Sequence, residues 1–255
     1  MVISYSKRFL FVHTPKTGGT SIADALRGFA HDSRQYRFNR MLARMGIHVN
    51  YWAPARMRRF RIHASAAQLE RHLPPETFHS FFKFAFVRNP WDRMVSYYHY
   101  LISRTWHHRH RKVAAMDSFK DYLRYEVARG KTAQHSMLAD RSGRLLVDFV
   151  GRFEHLHDDF AEICRRLGLS CRLSHTNRSS HRDYREYYDD ESIELVREAF
   201  RPDIERFGYT FDGCARPAIE WNVSVPARKA KPKVLWGARP LPLPNWHCPV
   251  PSAGL

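Results

Sequence analysis

Phe9-Leu10-Phe11-Val12-His13-Thr14-Pro15-Lys16-Thr17-Gly18-Gly19-Thr20-Ser21-Ile22 is the stretch whose reading decides the fold. Its four leading apolar residues read as a short buried strand. A polar turn follows, and then Ile22, Ala25, Leu26 and Phe29 recur at helical spacing. The segment is therefore strand, glycine-rich turn, helix. Two adjacent glycines let backbone amides come close to an anion. The helix that follows aims its free N–H groups at the same spot. Thr17, Thr20 and Ser21 add hydroxyl donors and Lys16 adds a full charge, so the expected ligand group is a phosphate or sulfate ester. The loop of nucleotide triphosphatases carries its lysine after the glycines. Here Lys16 comes before Gly18 and Gly19, and that pattern fails.

Working outward, the same form recurs at Phe81 to Val87, an apolar strand broken by Arg88-Asn89-Pro90. Trp91, Met94, Val95, Tyr98 and Leu101 then mark one face of a helix with Pro90 near its first turn. Arg88 sits at the strand end, and Ser96 lies about two helical turns into the helix. A planar guanidinium can grip a phosphate bidentately, and a hydroxyl can complete the site. Further helices are expected over 64–73, 119–127, 156–167 with a stop at Gly168, and 193–200 with a break at Pro202; a third strand is expected over Leu145–Phe149. Strands alternating with helices predict an α/β fold, a single P-loop-like domain over residues 1–214. Its central parallel sheet is flanked by helices and binds ligands at the strand C-termini. Eight of the 14 prolines fall in residues 215–255, where an extended or disordered basic tail is expected.

The chain has 255 residues and a formal net charge of +17, which favours anionic partners without choosing among nucleic acid, acidic membrane, nucleotide and anionic glycan. A basic nucleic-acid-binding protein suits the charge, yet no recognisable nucleic-acid module is present. Cys164, Cys171, Cys214 and Cys248 form neither a CxxC pair nor a Cys/His block with zinc spacing. Free thiols in a reducing compartment are the simpler reading. No apolar run approaches the ~20 residues of a membrane span, and residues 1–8 lack the apolar stretch of a signal peptide. These features lead to the expectation of a cytoplasmic protein.

Pro15-Lys16-Thr17-Gly18-Gly19-Thr20-Ser21 directly after a strand resembles the 5′-phosphosulfate loop of sulfotransferases that use 3′-phosphoadenosine-5′-phosphosulfate (PAPS). Arg88-Asn89-Pro90 with Ser96 resembles the 3′-phosphate segment of the same enzymes. Gly151-Arg152-Phe153-Glu154, Asn177-Arg178-Ser179-Ser180, Tyr187-Tyr188 and Asp203 to Tyr209 are weaker similarities to the bacterial branch of the carbohydrate-type sulfotransferases.

The resemblance implies PAPS as donor, adenosine 3′,5′-bisphosphate as product, no metal, and a hydroxyl acceptor, expected to be a carbohydrate. Lys16 would be catalytic, Thr17 to Ser21 would hold the 5′-phosphosulfate, and Arg88, Ser96, Arg178 and Ser179 the cofactor near its 3′-phosphate. His63 is the first candidate for the general base and Glu154 its rival; Gln134 and His135 are further candidates for ligand contact. The basic runs 56–61 and 104–112 could follow an anionic glycan or simply be a solvated face. An ATP-dependent kinase or ATPase is the rival enzyme reading. Leu145-Leu146-Val147-Asp148 mimics the apolar run and aspartate that hold Mg²⁺ in such enzymes.

Overall fold

The computed structural model describes residues 1–4, 7–30, 63–130, 133–173 and 182–214, and only the backbone of 51–52 and 60–61. The expected tail at 215–255, Arg178 and Ser179, and the side chains of the run 56–61 lie outside the described residues.

A four-stranded sheet forms the centre, in the order β1 (Val2–Ser4), β2 (Phe9–Val12), β5 (Phe82–Val87), β6 (Phe149–Arg152). β2, β5 and β6 are parallel, while β1 returns antiparallel along β2. Two short strands, β3 (Tyr51–Trp52) and β4 (Phe60–Arg61), pair separately with each other. Side-chain alternation splits the core into two layers. Phe9, Phe11, Phe84, Phe86 and Phe149 face one side, where they pack with Ile22 and Leu26 and with Phe160 and Ile163. Ile22 belongs to helix α1 (Gly19–Ala25), and Leu26 is the residue that closes it. Leu10, Val12, Ala85 and Val87 face the other side, against Leu69 of α2 (Ala66–His72) and Trp91 and Met94 of α4 (Pro90–Ser103). With both faces covered, β2 is apolar on both sides, and so is β5 from Phe84 to Val87, rather than alternating with polar residues.

Pro74-Pro75 both stops α2 and opens α3 (Pro75–Ser80), because proline at the first helical position gives up only an N–H that has no partner there anyway. The remaining helices are α5 (His110–Ala114), α6 (Phe119–Ala128), α7 (His135–Leu138), α8 (Leu156–Leu167), α9 (Asp190–Ala199) and α10 (Arg201–Phe207). Phe160 and Ile163 lie on α8, which ends at Gly168 in the left-handed conformation. Pro202 sits in the first turn of α10 and so begins a helix as well as breaking one. A last hairpin pairs β7 (Tyr209–Thr210) with β8 (Gly213–Cys214).

Two strands of the central sheet differ from the sequence reading. β1 is the first, a buried edge strand of three residues, too short a run to stand out next to Phe9–Val12. The third parallel strand is the second: it starts at Phe149 and not at Leu145. Leu145 makes only an isolated bridge with Ala139, and Asp148 is pinned at the strand entrance. There Asp148 accepts from the Lys83 backbone N–H at 2.7 Å and pairs with the Lys83 ammonium at 2.9 Å. No described helix is long and apolar enough to cross a membrane.

Candidate active site

The turn after β2 is shaped by its backbone. Lys16 and Gly18 take φ of 67° and 75°, on either side of Thr17. Left-handed residues alternating with ordinary ones turn successive amides toward one concave side, where an anion fits. Left-handed lysine is unfavourable by about 1–2 kcal/mol relative to its right-handed form, so something must hold it. Arg88 Nη1 does so, donating to the Lys16 carbonyl at 3.3 Å. At Gly19 a Cβ would lie 2.0 Å from His13 Cδ2, so the imidazole lies directly over the glycine backbone. A Cβ on Gly18 would come within 2.8 Å of Leu156 on α8. The glycines therefore serve both the conformation of the turn and the packing around it.

Thr17 departs from its expected role. Its buried hydroxyl donates to the Thr14 carbonyl at 2.9 Å, because a buried O–H must find an acceptor. What it can offer an anion is its backbone N–H. Thr20 is exposed and Ser21 buried at the start of α1. Thr14 was not anticipated as part of the site. It donates from Oγ1 to the Phe86 carbonyl and so ties the end of β2 to the end of β5.

The turn after β5 is held by side chains. Gln134 Oε1 accepts from the Arg88 N–H at 2.9 Å, and its Nε2 donates to the Arg88 carbonyl at 2.8 Å. Gln134 is itself fixed by Asp203, which accepts from the backbone N–H groups of Gln134 and His135 and from His135 Nδ1 at 2.7–2.8 Å. Asn89 caps α4 by accepting from the Trp91 N–H, and its Nδ2 donates to the Thr210 carbonyl at 2.9 Å. Gln134 therefore acts as a brace for Arg88.

Arg88 is 4% exposed. Its Nε and Nη2 each donate to Asp92 at 2.7 Å, and its plane stacks 3.9 Å from the centre of the Phe153 ring. The expected bidentate grip on phosphate thus finds one edge of the fork taken by Asp92. With Lys16 as well, three of the five guanidinium N–H groups are engaged, leaving terminal Nη protons for a ligand. Ser96 lies on the buried side of α4 and is 4% exposed.

Lys16 reaches over the Tyr100 ring at 4.5 Å. Burial, and then the nearby charges of Arg88 and Arg104, push its ammonium pKa down to about 8. Like charges this close to a partly buried ammonium would be relieved by an anion beside Lys16.

His63 and Glu154, the two candidate bases, have different surroundings. His63 Nδ1 lies 2.9 Å from the His13 carbonyl. A carbonyl only accepts, so Nδ1 carries the hydrogen and Nε2 keeps its lone pair. The ring packs edge-on against His13, with centroids 4.6 Å apart, which brings His63 beside the imidazole that covers Gly19. Desolvation lowers the His63 pKa despite its exposed outer side, while His13, almost wholly buried, lies well below the ordinary imidazole value. Glu154 has both oxygens engaged: Oε1 accepts from the Asn89 N–H at 2.6 Å and Oε2 from the Tyr209 hydroxyl at 3.1 Å. Burial raises its pKa. Glu154 braces the second turn.

Residues 1–210 match the family model of a sulfotransferase family. The chain belongs to that family. The family is that of the enzymes expected from the two turns, which transfer sulfonate from PAPS to a hydroxyl and release adenosine 3′,5′-bisphosphate. Among solved structures, the sulfotransferase is similar to mouse sulfotransferase SULT7A1 complexed with PAP, at 15% identity, covering 80% of this chain and 88% of that one with a TM-score of 0.44. No curated protein sequence matches the chain.

The weaker similarities also find a place. Gly151 makes room for the Phe86 ring, which a Cβ would meet at 2.4 Å, Phe153 lies against Arg88, and the Tyr188 hydroxyl donates to the Trp91 carbonyl at 2.9 Å. Asp148 corrects the kinase reading. It sits beside Lys83, at the end of the sheet opposite the turns that follow β2 and β5, and so lies away from the glycine-rich loop with which the kinase reading paired it. Among the described residues, no group of three His, Cys, Asp or Glu side chains gathers in a way that could hold a metal ion.

Proposed function

We propose that this sulfotransferase acts on a carbohydrate hydroxyl, with Lys16 and His63 as its catalytic groups. The observation that carries the reading is the link between the two turns, the bond from Arg88 Nη1 to the Lys16 carbonyl. It supports a single ligand with an anionic group at each end.

In this reading the amides of Thr17 to Ser21 and the Lys16 ammonium hold the 5′-phosphosulfate. Arg88 and Ser96 hold the 3′-phosphate, and Arg178 and Ser179 complete that end. The acceptor oxygen attacks sulfur in line with the departing phosphate oxygen. A new O–S bond forms, the S–O bond to the 5′-phosphate breaks, and its electron pair leaves with adenosine 3′,5′-bisphosphate. Lys16 meets the charge that builds on the leaving oxygen, from a site organised beforehand. His63 Nε2 takes the acceptor proton, because its Nδ1–H is held by His13 and its depressed pKa keeps it neutral at neutral pH. The full engagement of Glu154 favours His63 as base.

The test is release of adenosine 3′,5′-bisphosphate from PAPS over a panel of saccharides, phenols and small alcohols, for the native enzyme and His63→Ala. The reading expects sulfated saccharide, with turnover down by about 10²–10⁴ in the variant. Transfer only to non-sugar acceptors would overturn the carbohydrate assignment, and undiminished turnover would overturn the role of His63.

A further inference from the structure

Helix α8 lies beside the first turn. Leu156, at its start, lies against Gly18, and Phe160, Ile163 and Cys164 share an apolar layer with Ile22 and Leu26 of the α1 region. Its far end is closed by Gly168 in the left-handed conformation. The Gly168 N–H donates to the Arg165 carbonyl at 3.4 Å and the Leu169 N–H to the Cys164 carbonyl at 2.9 Å, so the last helical carbonyls are satisfied and the chain reverses. Lys7 Nζ donates to the Gly168 carbonyl at 3.2 Å. Leu167, Leu169, Cys171 and Leu173 then return to the same apolar layer. Packing as well as the cap therefore holds the reversed segment.

The reversal brings two thiols into contact. Cys164 Sγ and Cys171 Sγ lie 3.4 Å apart, and neither is in a disulfide. Cys164 is 4% exposed, whereas Cys171 is half-buried. Burial, and then the bond to Cys171, push the Cys164 thiol up to about 12. Cys164 is thus a protonated thiol of the core, and Cys171 is the one of the pair that a reagent meets first. Cys214 has different company: its Sγ lies 3.9 Å from His155 Nε2.

We infer that Cys164 and Cys171 are a modification site, which a low-molecular-weight disulfide such as oxidised glutathione converts into an intramolecular disulfide that staples the end of α8. The Cys171 thiolate attacks one sulfur of oxidised glutathione, the S–S bond breaks, and one glutathione leaves as its thiolate. Cys164 then gives up its proton and attacks the Cys171 sulfur of the mixed disulfide, and the second glutathione leaves. The two departing thiolates take up the protons that the protein thiols lost. Two protein thiols are oxidised and one small disulfide is reduced to two thiols. The sulfurs must close from contact to a bond of about 2.05 Å. That closure is local to the last turn of α8, whereas Leu156 at the opposite end of the helix is the residue against Gly18. The bond therefore leaves the first turn in place while it restricts the unfolded chain. It is a staple that answers to the thiol–disulfide balance around the protein, and it does not switch the donor site off.

The experiment incubates the folded full chain with excess oxidised glutathione, blocks the remaining thiols by alkylation, and maps tryptic peptides by mass spectrometry. Native protein, Cys164→Ser and Cys171→Ser are compared. Arg165 and Arg166 lie between the two cysteines, so trypsin leaves the Cys164 and Cys171 peptides joined by the disulfide alone. The joined pair should be the main product in native protein, and dithiothreitol should release it. Cys164→Ser should stop at the mixed disulfide on Cys171. Thermal unfolding of the oxidised native protein should come about 5 °C above that of the reduced protein, and neither variant should gain from the oxidant. Affinity for adenosine 3′,5′-bisphosphate should agree within about twofold between the oxidised and reduced forms. Glutathione retained on Cys171 of native protein, with no joined peptides, would overturn the inference. So would Cys164 or Cys171 joined instead to Cys214 or Cys248, or an equal rise in Tm in Cys171→Ser. Joined peptides with bisphosphate affinity down by about tenfold or more would overturn the staple and make the pair an off-switch.

Discussion

The two strand-end turns sit side by side and are built by opposite means. The turn after β2 is made by its own backbone, with positive φ at Lys16 and Gly18 and a Gly19 that admits the His13 ring. The turn after β5 is made by side chains that arrive from far along the chain: Gln134, Glu154 and the carbonyl of Thr210, with Asp203 behind Gln134. A turn of the first kind can present amides to a ligand because its conformation already directs them. A turn of the second kind keeps one arginine in register, and its strength depends on the whole network.

The contrast can be broken most forcefully at Asp203. Its carboxylate is fully buried, and burial is opposed by bonds from His135 and Gln134 and by the charge of Arg93, with a net lowering of its pKa. Asp203→Ala should cost about 3–5 kcal/mol, the scale for removing one partner of a buried charged network. Chemical denaturation would measure it, and a loss below about 1 kcal/mol would mean the second turn does not depend on this brace.

Lys16→Gly sharpens the comparison from the other side. Glycine accepts the positive φ and loses the charge. Turnover should fall by about 10²–10³, while stability shifts by no more than about 1 kcal/mol, since relieved strain offsets glycine's added chain entropy. A large loss of stability would mean that the lysine side chain, and not the backbone, builds the first turn.

The smallest effect is in the pH profile of kcat/KM for PAPS, which reports groups of the free enzyme. His63 has a pKa below the ordinary imidazole value, so it stays a neutral base until the pH drops below that value and activity then declines. Lys16 loses its proton as pH rises through about 8, and activity should fall there too. The predicted profile is a bell with its alkaline limb near 8; a plateau extending well above that would contradict the charged role of Lys16.

This difference in construction also explains what could be read from the sequence. Lys16, Gly18 and Gly19 are legible because a glycine-rich turn between strand and helix is a local requirement. Arg88 is legible for the same reason, as the residue between an apolar strand and a proline that opens a helix. The partners of Arg88 are not. Gln134 lies 46 residues away and Glu154 lies 65 from Asn89, and no local pattern links them. Thr17 looked like a ligand donor because its hydroxyl is next to the glycines, but burial turned it toward Thr14. The strand at Phe149 was displaced in the reading because Leu145-Leu146-Val147 is as apolar as a strand, and only Asp148 bound to Lys83 shows where pairing starts. Arg109 likewise read as part of an exposed run until its partner Glu126, on the next helix, came into view.

The central claim is that both turns hold one nucleotide by its two ends. Thermal unfolding of the native protein with adenosine 3′,5′-bisphosphate, with ADP, and with ATP plus Mg²⁺ tests it without knowledge of the acceptor, because a ligand bound to the folded state raises stability by mass action. The account predicts a clear rise in Tm with the 3′,5′-bisphosphate, a small one with ADP, and no effect of Mg²⁺. A rise only with ATP and Mg²⁺, or equal rises with ADP and the bisphosphate, would contradict it.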